Sequence, residues 1–478
     1  MRHPGAGSEL DPQALFHYLH FHAVPAPAAI YKGQRRLLPG EAVHLQGGRL
    51  QRTRYWQLQF HEHGQADPAQ LKQEFLDTAR HAAQDARGAL PAGVLLSGGQ
   101  GSALIAAMLA GAGAPLRTYA VGYDGGADDS LAHARQLAHQ LGAIHRERQV
   151  GAADVADAIA QLAALCDQPL GDPALLVPLH GALMAREDGV QRLLGGHGCA
   201  ELFGARPEYA VQARLSQYEK IPSALRQALV EPLLFQLAGA ADAAPLRRAR
   251  SYIERALVGL PARLAASNLL HEHAGADLFD AGFLASVDPS APAWLLGQSW
   301  SKTERCSQVN QLIALELQYG LADQRLPAMR RACQLAGLEA GFPLLGDAMV
   351  AFAARLAPRQ KLDGMRRCPF LREALRGSAA HKASAQAAVL PFGLWLHSAP
   401  RIRALAFDSL AALKRRAIVR PGFIDALLAA HPAAPAQRHA DMVWLLMMLE
   451  QWLAQRGAGA RPAAPVRRAV DASATCRL

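Results

Sequence analysis

The chain has 478 residues, 51% of them hydrophobic and 19% charged, with a formal net charge of +10. That is ample apolar material for a packed core in one large domain or two to three ordinary ones, and it excludes a chain disordered throughout. Part of the positive excess sits in residues 456–478, rich in Ala, Pro and Arg with no interleaved aromatics, which reads as a solvated, disordered basic tail and not as a nucleic-acid arm. The six cysteines (Cys166, Cys199, Cys306, Cys333, Cys368 and Cys476) form no Cys-x-x-Cys pair, which argues against a zinc site and for reduced thiols in the cytoplasm. Residues 1–30 show no cleavable signal pattern. The most hydrophobic run, Met442 to Leu449, is far shorter than the roughly 20 residues a membrane span needs. A soluble cytoplasmic protein, with neither nucleic acid nor membrane as partner, is expected.

In chain order, Asp11 caps a helix that opens with Pro12. Glu41 to Trp56 predicts a hairpin turning at Gly47-Gly48, and residues 68–88 an amphipathic helix. Gly93 to Leu96 is an apolar run, Ser97-Gly98-Gly99-Gln100-Gly101-Ser102 a glycine-dense hinge, and Ala103 to Leu109 a helical run. Together they read as strand, loop, helix. Such a loop turns backbone N–H groups and a helix N-terminus toward phosphate oxygens. No Gly-Lys-Ser/Thr closes it, so it is not a Walker A loop, and no third glycine makes it a dinucleotide fingerprint. Leu116 to Gly122 is a second strand. Asp129-Ser130 caps a helix with an apolar face of Leu131, Ala134, Leu137, Ala138 and Leu141. His145 to Val150 and Gln191 to Gly195 are further strands. Strands separated by helices make right-handed parallel units, whose ligands lie at the carboxyl ends of the strands. Both glycine-rich segments, 97–101 and 195–198, fall at such ends. The second half reads as helical, with breaks near 259–261, 341–346 and 420–422, and Asp441 to Leu453 as a buried helix. His61-Glu62-His63 and His271-Glu272-His273 lack the i, i+4 spacing of a helical zinc site and read as surface loops, and Asp124, Asp128 and Asp129 as turn and cap residues.

The loop at 97–102 resembles the Ser-Gly-Gly-x-Asp-Ser pyrophosphate loop of the asparagine synthetase family of ATP pyrophosphatases, with Gly101 in place of the magnesium-binding aspartate. Asp167-Gln168-Pro169, followed by Asp172-Pro173, resembles the family's Asp-Glu-Pro segment. Gly196-His197-Gly198-Cys199-Ala200-Glu201-Leu202-Phe203-Gly204 resembles its Gly-Glu-Gly-Ala-Asp-Glu-Leu-Phe-Gly loop, with His197 and Ala200 replacing two carboxylates. Glu339 to Asp347 resembles the segment ending Val-Pro-Phe-Leu-Asp, keeping Pro343. Leu371-Arg372 matches a Lys-x-x-Leu-Arg element with Cys368 at the lysine. A later Lys-x-Gly-Phe-x-x-Pro element survives as Pro391 and Trp395, with Ala385, Ala387 and Ala388 elsewhere in it.

The resemblance implies an α/β fold, a parallel sheet with helices on both faces (adenine-nucleotide α-hydrolase-like), followed by a large helical region. It implies a synthetase domain over 61–455 behind a glutaminase and linker remnant over 1–60 that lacks the family's nucleophilic cysteine, Arg2 standing in its place. It carries ATP binding to Leu96, Ser97, Gly98, Gly99, Gly101, Ser102, Val121, Gly122, Gly196 and Gly198, catalysis to His197 and Glu201, and magnesium to Asp167 and Asp172. In the family's reaction a substrate carboxylate attacks the α-phosphorus of ATP, pyrophosphate leaves, and ammonia converts the acyl-adenylate to an amide. Hard oxygen ligands must hold the magnesium. Gly101, Ala200 and Cys368 remove two of its carboxylates and its lysine, weakening the hold on both ATP and Mg2+, and loss of one such group costs about 10²–10³ in rate. Two readings follow. One is a working ligase without glutaminase activity, acting on a small-molecule or peptide carboxylate; macrolactam closure is a variant, since some lasso-peptide cyclases resemble this chain in Gly196-His197-Gly198. The other is a silent relative that binds a nucleotide or a protein partner without turnover.

Overall fold

The computed structural model describes residues 7–62, 67–111, 115–126, 130–226, 244–266, 268–383, 389–430 and 437–457. His63, Asp128, Asp129, Ala385, Ala387, Ala388, Cys476 and the basic tail after residue 457 lie outside the described residues.

After α1 (Pro12–Phe21) and a hairpin of β1 (Glu41–Gln46) and β2 (Arg49–Arg54), the chain runs through α2 (Pro68–Arg87) into the sheet. Its strands are β3 (Ala92–Leu95), β4 (Arg117–Tyr123), β5 (Ile144–Val150), β6 (Arg192–Leu194) and β7 (Glu339–Gly341). Helices α3 (Gln100–Leu109), α4 (Ser130–Gln140), α5 (Ala152–Leu165) and α6 (Leu176–Glu187) join the first four strands. The spatial order is β5-β4-β3-β6-β7, and every neighbouring pair is parallel. The chain builds outward from β3 to β5, then returns to the other side of β3 for β6 and β7. The order therefore reverses between β3 and β6, the switch point at whose carboxyl ends open α/β sheets bind ligands.

Alternation along the strands explains the two helical layers. Val94 of β3, Ala120 of β4 and Leu194 of β6 pack with α2, α3 and α4, while Leu95, Tyr119, Val121, Tyr123 and Leu193 pack on the other face with α5 and α6. Successive strand side chains point to opposite faces, so burial of both sets requires helices on both sides. The helix Gln437–Gly457 completes the second layer, with Met442 to Leu449 wholly buried as their apolar run predicts. Its Trp444 and Trp452 indoles donate to the carbonyls of Gly171 and Cys166, both at 2.9 Å. The sequence predicts four strands; the fifth, β7, lies at the edge of a segment that reads as a break. Three residues are too few to show a period. They become a strand because β6 offers an open edge: Gly195 N–H donates to Gly341 O at 2.9 Å, and Arg192 pairs with Glu339 at 2.5 Å.

The hairpin forms as predicted. Gly47 and Gly48 take φ of +55° and +75°, as the two-residue turn that matches strand twist requires. No helix among the described residues is long and apolar enough to cross a membrane.

Phe75 of α2 is fully buried, 5.3 Å from Phe203, 5.8 Å from Phe352 and 5.6 Å from Phe370 between ring centroids. This cluster holds the end of the second glycine loop against the helical layer. Phe75→Ala should cost about 3–5 kcal/mol, read as a lowered urea midpoint.

Candidate functional site

The first loop leaves β3 with Leu96 N–H bonded to Tyr119 O at 2.7 Å. Gly98 turns at φ +79°, which favours glycine, and Gly99 starts α3 with no side-chain cap. Buried Ser102 staples the loop from inside: its Oγ accepts from Ser97 N–H at 3.2 Å and donates to Gly99 O at 3.0 Å. The first-turn N–H groups of α3 have no partner within the helix, and the helix dipole favours an anion there.

The second loop leaves β6 at Gly195 and enters the short helix α7 (Cys199–Leu202). The two loops meet backbone to backbone. A Cβ on Gly101 would lie 2.3 Å from Gly196 O and 2.7 Å from Cys199 Cβ, and a Cβ on Gly196 would lie 2.3 Å from Ser102 N. No side chain fits at either position without moving main chain. Gly198 turns at φ +97°, its open side filled by Leu345.

Glu201 is 5% exposed. One carboxylate oxygen accepts from Gly198 N–H at 3.0 Å, capping α7, and the other accepts from Arg325 Nη2 at 3.1 Å. Arg325 also pairs with Glu316 at 2.5 Å. Burial opposes its charge, but Glu316 and Glu201 outweigh that and hold its proton more tightly than usual. His197 packs edge-on against Phe342, 5.4 Å between ring centroids, and its Nδ1 has no hydrogen-bond partner. Burial pushes its pKa down to about 4, with Glu201 opposing in part, so the ring is neutral at pH 7.

Asp167 is exposed and paired with Arg331. Asp172 lies within electrostatic reach of His22 and Arg325. Among the described residues no three His, Cys, Asp or Glu side chains gather where they could hold a metal ion. With Gly101 closed to a carboxylate and Glu201 engaged twice, the residues present do not fit magnesium as the family's motifs would bind it.

A shallow hollow, open to solvent and with a volume of only about 20 Å³, borders the first loop, far below the roughly 300–1,000 Å³ of small-molecule sites. Leu96, Gly98, Gly99 and Ser102 line one side, and His133, Gln136 and Gln140 of α4 the other. Val121, Gly122, Gly196 and Gly198 are not among its lining residues; a Cβ on Gly122 would meet Leu131 at 2.6 Å. The α4 polar residues escape sequence reading because the helical period marks the apolar face and leaves its opposite face undistinguished.

Two further charges are used structurally. Cys368, at the expected lysine, takes φ +45° and donates its N–H to Lys361 O at 2.8 Å. Lys361 is itself fully buried, its ammonium 2.7 Å from Asn310 Oδ1 and 4.8 Å from the Phe60 ring centroid, and burial pushes its pKa down to about 7. Glu62, expected on a surface loop, instead accepts from Ser307 N–H, Ser307 Oγ and Asn310 Nδ2, each at 2.7 Å, and so caps the helix Gln308–Leu315 from a distant segment. That role depends on tertiary packing and has no local signature.

The asparagine synthase family pattern matches residues 74–454, most of the chain. The chain belongs to the asparagine synthase family. Among individual asparagine synthetases, it is 29% identical over 234 residues to a Mycobacterium tuberculosis protein provisionally named asparagine synthetase (glutamine-hydrolysing), covering 47% of this chain and 35% of that relative. It is 27% identical over 229 residues to the Bacillus subtilis asparagine synthetase (glutamine-hydrolysing) 1, covering 46% and 35%. The chain thus matches about a third of the length of these relatives. A solved NMN synthetase from Francisella tularensis overlays 30% of this chain and 59% of its own at 17% identity, with a TM-score of 0.22, too slight to carry an argument.

Glu201→Ala removes the α7 cap and leaves buried Arg325 short of a partner; it should cost about 3–5 kcal/mol in urea unfolding. His197 titrates near 6.5 when unfolded and near 4 when folded, so the unfolded chain binds more protons between these values. Its stabilising share is complete above about pH 6.5 and is lost as pH falls toward 4. Between pH 7 and 4.5 the urea midpoint should fall less in His197→Phe than in the native chain.

Proposed function

We propose that this chain is a catalytically silent member of the asparagine synthase family, which holds an adenine nucleotide at the first loop without adenylating a carboxylate. The observation that carries this reading is the contact of Gly101 with the Gly196 carbonyl: the place of a metal carboxylate is closed by backbone as well as vacated by sequence. Engagement of Glu201 by Gly198 and Arg325, and burial of neutral His197 against Phe342, support it further. On this reading the main chain of Ser97, Gly98 and Gly99 and the first turn of α3 hold phosphate, beside the shallow hollow between the loop and α4. Leu96 borders the ligand, while Glu201 keeps the second loop in shape. Asp167 and Asp172 serve ion pairing and loop packing.

The working-ligase reading keeps one observation in its favour, an intact Ser-Gly-Gly turn leading into the uncapped N-terminus of α3. The test is release of AMP and pyrophosphate from ATP and magnesium, with aspartate and other carboxylates as acceptors. The silent reading expects no release above background, and ATP affinity in calorimetry that is unchanged by EDTA. Turnover at about 1–10³ s⁻¹, abolished by Asp167→Ala, would refute it. Gly101→Asp, which restores the family carboxylate, should yield no activity and should cost about 1–3 kcal/mol in stability, because the new side chain must displace Gly196.

A further inference from the structure

The hairpin β1–β2 stands apart from the site and has no role in it. Among the described residues neither strand pairs with any strand but its partner, so both outer edges present unpaired backbone donors and acceptors. The register places Val43, Leu45 and Leu50 on one face, with Leu45 directly opposite Leu50. Leu45 is 67% exposed and Leu50 58%, and Tyr55 at the hairpin's end is 74% exposed. Two-stranded hairpins are marginal in water unless a face is covered, and clustered exposed apolar groups beside open backbone mark interaction surfaces. The two edges differ in charge. β2, Arg49-Leu50-Gln51-Arg52-Thr53-Arg54, carries three arginines and is exposed along its whole length, whereas β1 carries one glutamate and no lysine or arginine. None of the three arginines pairs with a carboxylate among the described residues.

We infer that β2 is a docking edge for an acidic, extended segment of another protein, which adds as a third strand. Main-chain hydrogen bonds to the free edge supply affinity. Carboxylates opposite Arg52 and Arg54, which share a face of β2, supply selectivity, and Arg49 on the other face adds to the positive field of the edge. The surface is independent of whether the nucleotide site turns over.

The test uses fluorescently labelled eight-residue peptides and the full chain in an anisotropy titration at fixed salt. The probes are alternating Glu-Val, alternating Lys-Val, and alternating Glu-Pro, which keeps the charge but lacks the strand donors at every second residue. The expected result is binding of Glu-Val only, weakened at least tenfold in the Arg49→Glu, Arg52→Glu, Arg54→Glu triple variant. Amide exchange of residues 49–54 should slow when Glu-Val is bound. These side chains are exposed, so the variant should keep the native melting temperature; if it does not, Arg52→Gln alone serves, with a smaller loss. Absence of binding, equal binding of Lys-Val or Glu-Pro, or unchanged affinity in the variant overturns the inference. So does concentration-dependent dimerisation that already protects residues 49–54 without peptide, which would assign the edge to a second copy of the chain.

Discussion

The contact between Gly101 on the first turn of α3 and Gly196 after β6 sets the geometry of the whole crevice. Two loops from strands on either side of the sheet's switch point touch through main chain, with no room for a Cβ at either position. A carboxylate at 101 would need the loops apart, and the glycine lets them close. Interiors pack without voids, so backbone occupies the space that a side chain at either position would need. Ser102 and Glu201 then lock the closed arrangement, one from inside each loop.

The charges that remain nearby are drawn into structure. Arg325 ties Glu201 to Glu316, and it ends a stretch of wide helical turns, Glu316–Arg325, that also reaches the N-terminal segment. In that stretch Asp323 pairs with Arg36 at 3.0 Å and accepts from Ala26 N–H, while Tyr319 stacks on Phe21 with 5.1 Å between ring centroids. Wide turns of this kind often occur where a helix must aim side chains that a regular α-helix could not. The segment around residues 21–36 thereby belongs to the frame of the second loop. Lys361, Asn310 and Glu62 make a similar bridge between residues 60–62 and the helical region. In each case a buried charge is stabilised by partners far away in sequence, which is the condition for keeping it buried at all.

Much of this molecule can be read from local pattern. The apolar run Gly93–Leu96, the strand pattern at Leu116–Gly122, the Gly47-Gly48 turn, the proline after the Asp11 cap and the apolar run Met442–Leu449 are short-range signals, and each element forms within a residue or so of its signal. The glycine clusters at 97–101 and 195–198 are equally local, and their place after strands puts them at the sheet's carboxyl ends. What the residues would do there was legible only as chemistry available, not as chemistry arranged. Whether Glu201 faces a ligand or caps its own helix depends on Arg325, more than a hundred residues away.

Amino-acid order alone decided where most strands, helices and turns fall, β7 excepted, because steric preference and hydrophobic period act over a few neighbours. It also decided which functional groups the crevice lacks, since a missing carboxylate at 101 is missing in any fold. Only the folded chain decided that β7 exists, that Glu62 caps a helix beginning at residue 308, and that Gly101 rests on the Gly196 carbonyl. Those outcomes depend on which segments meet in space, and that is set by packing the whole core at once.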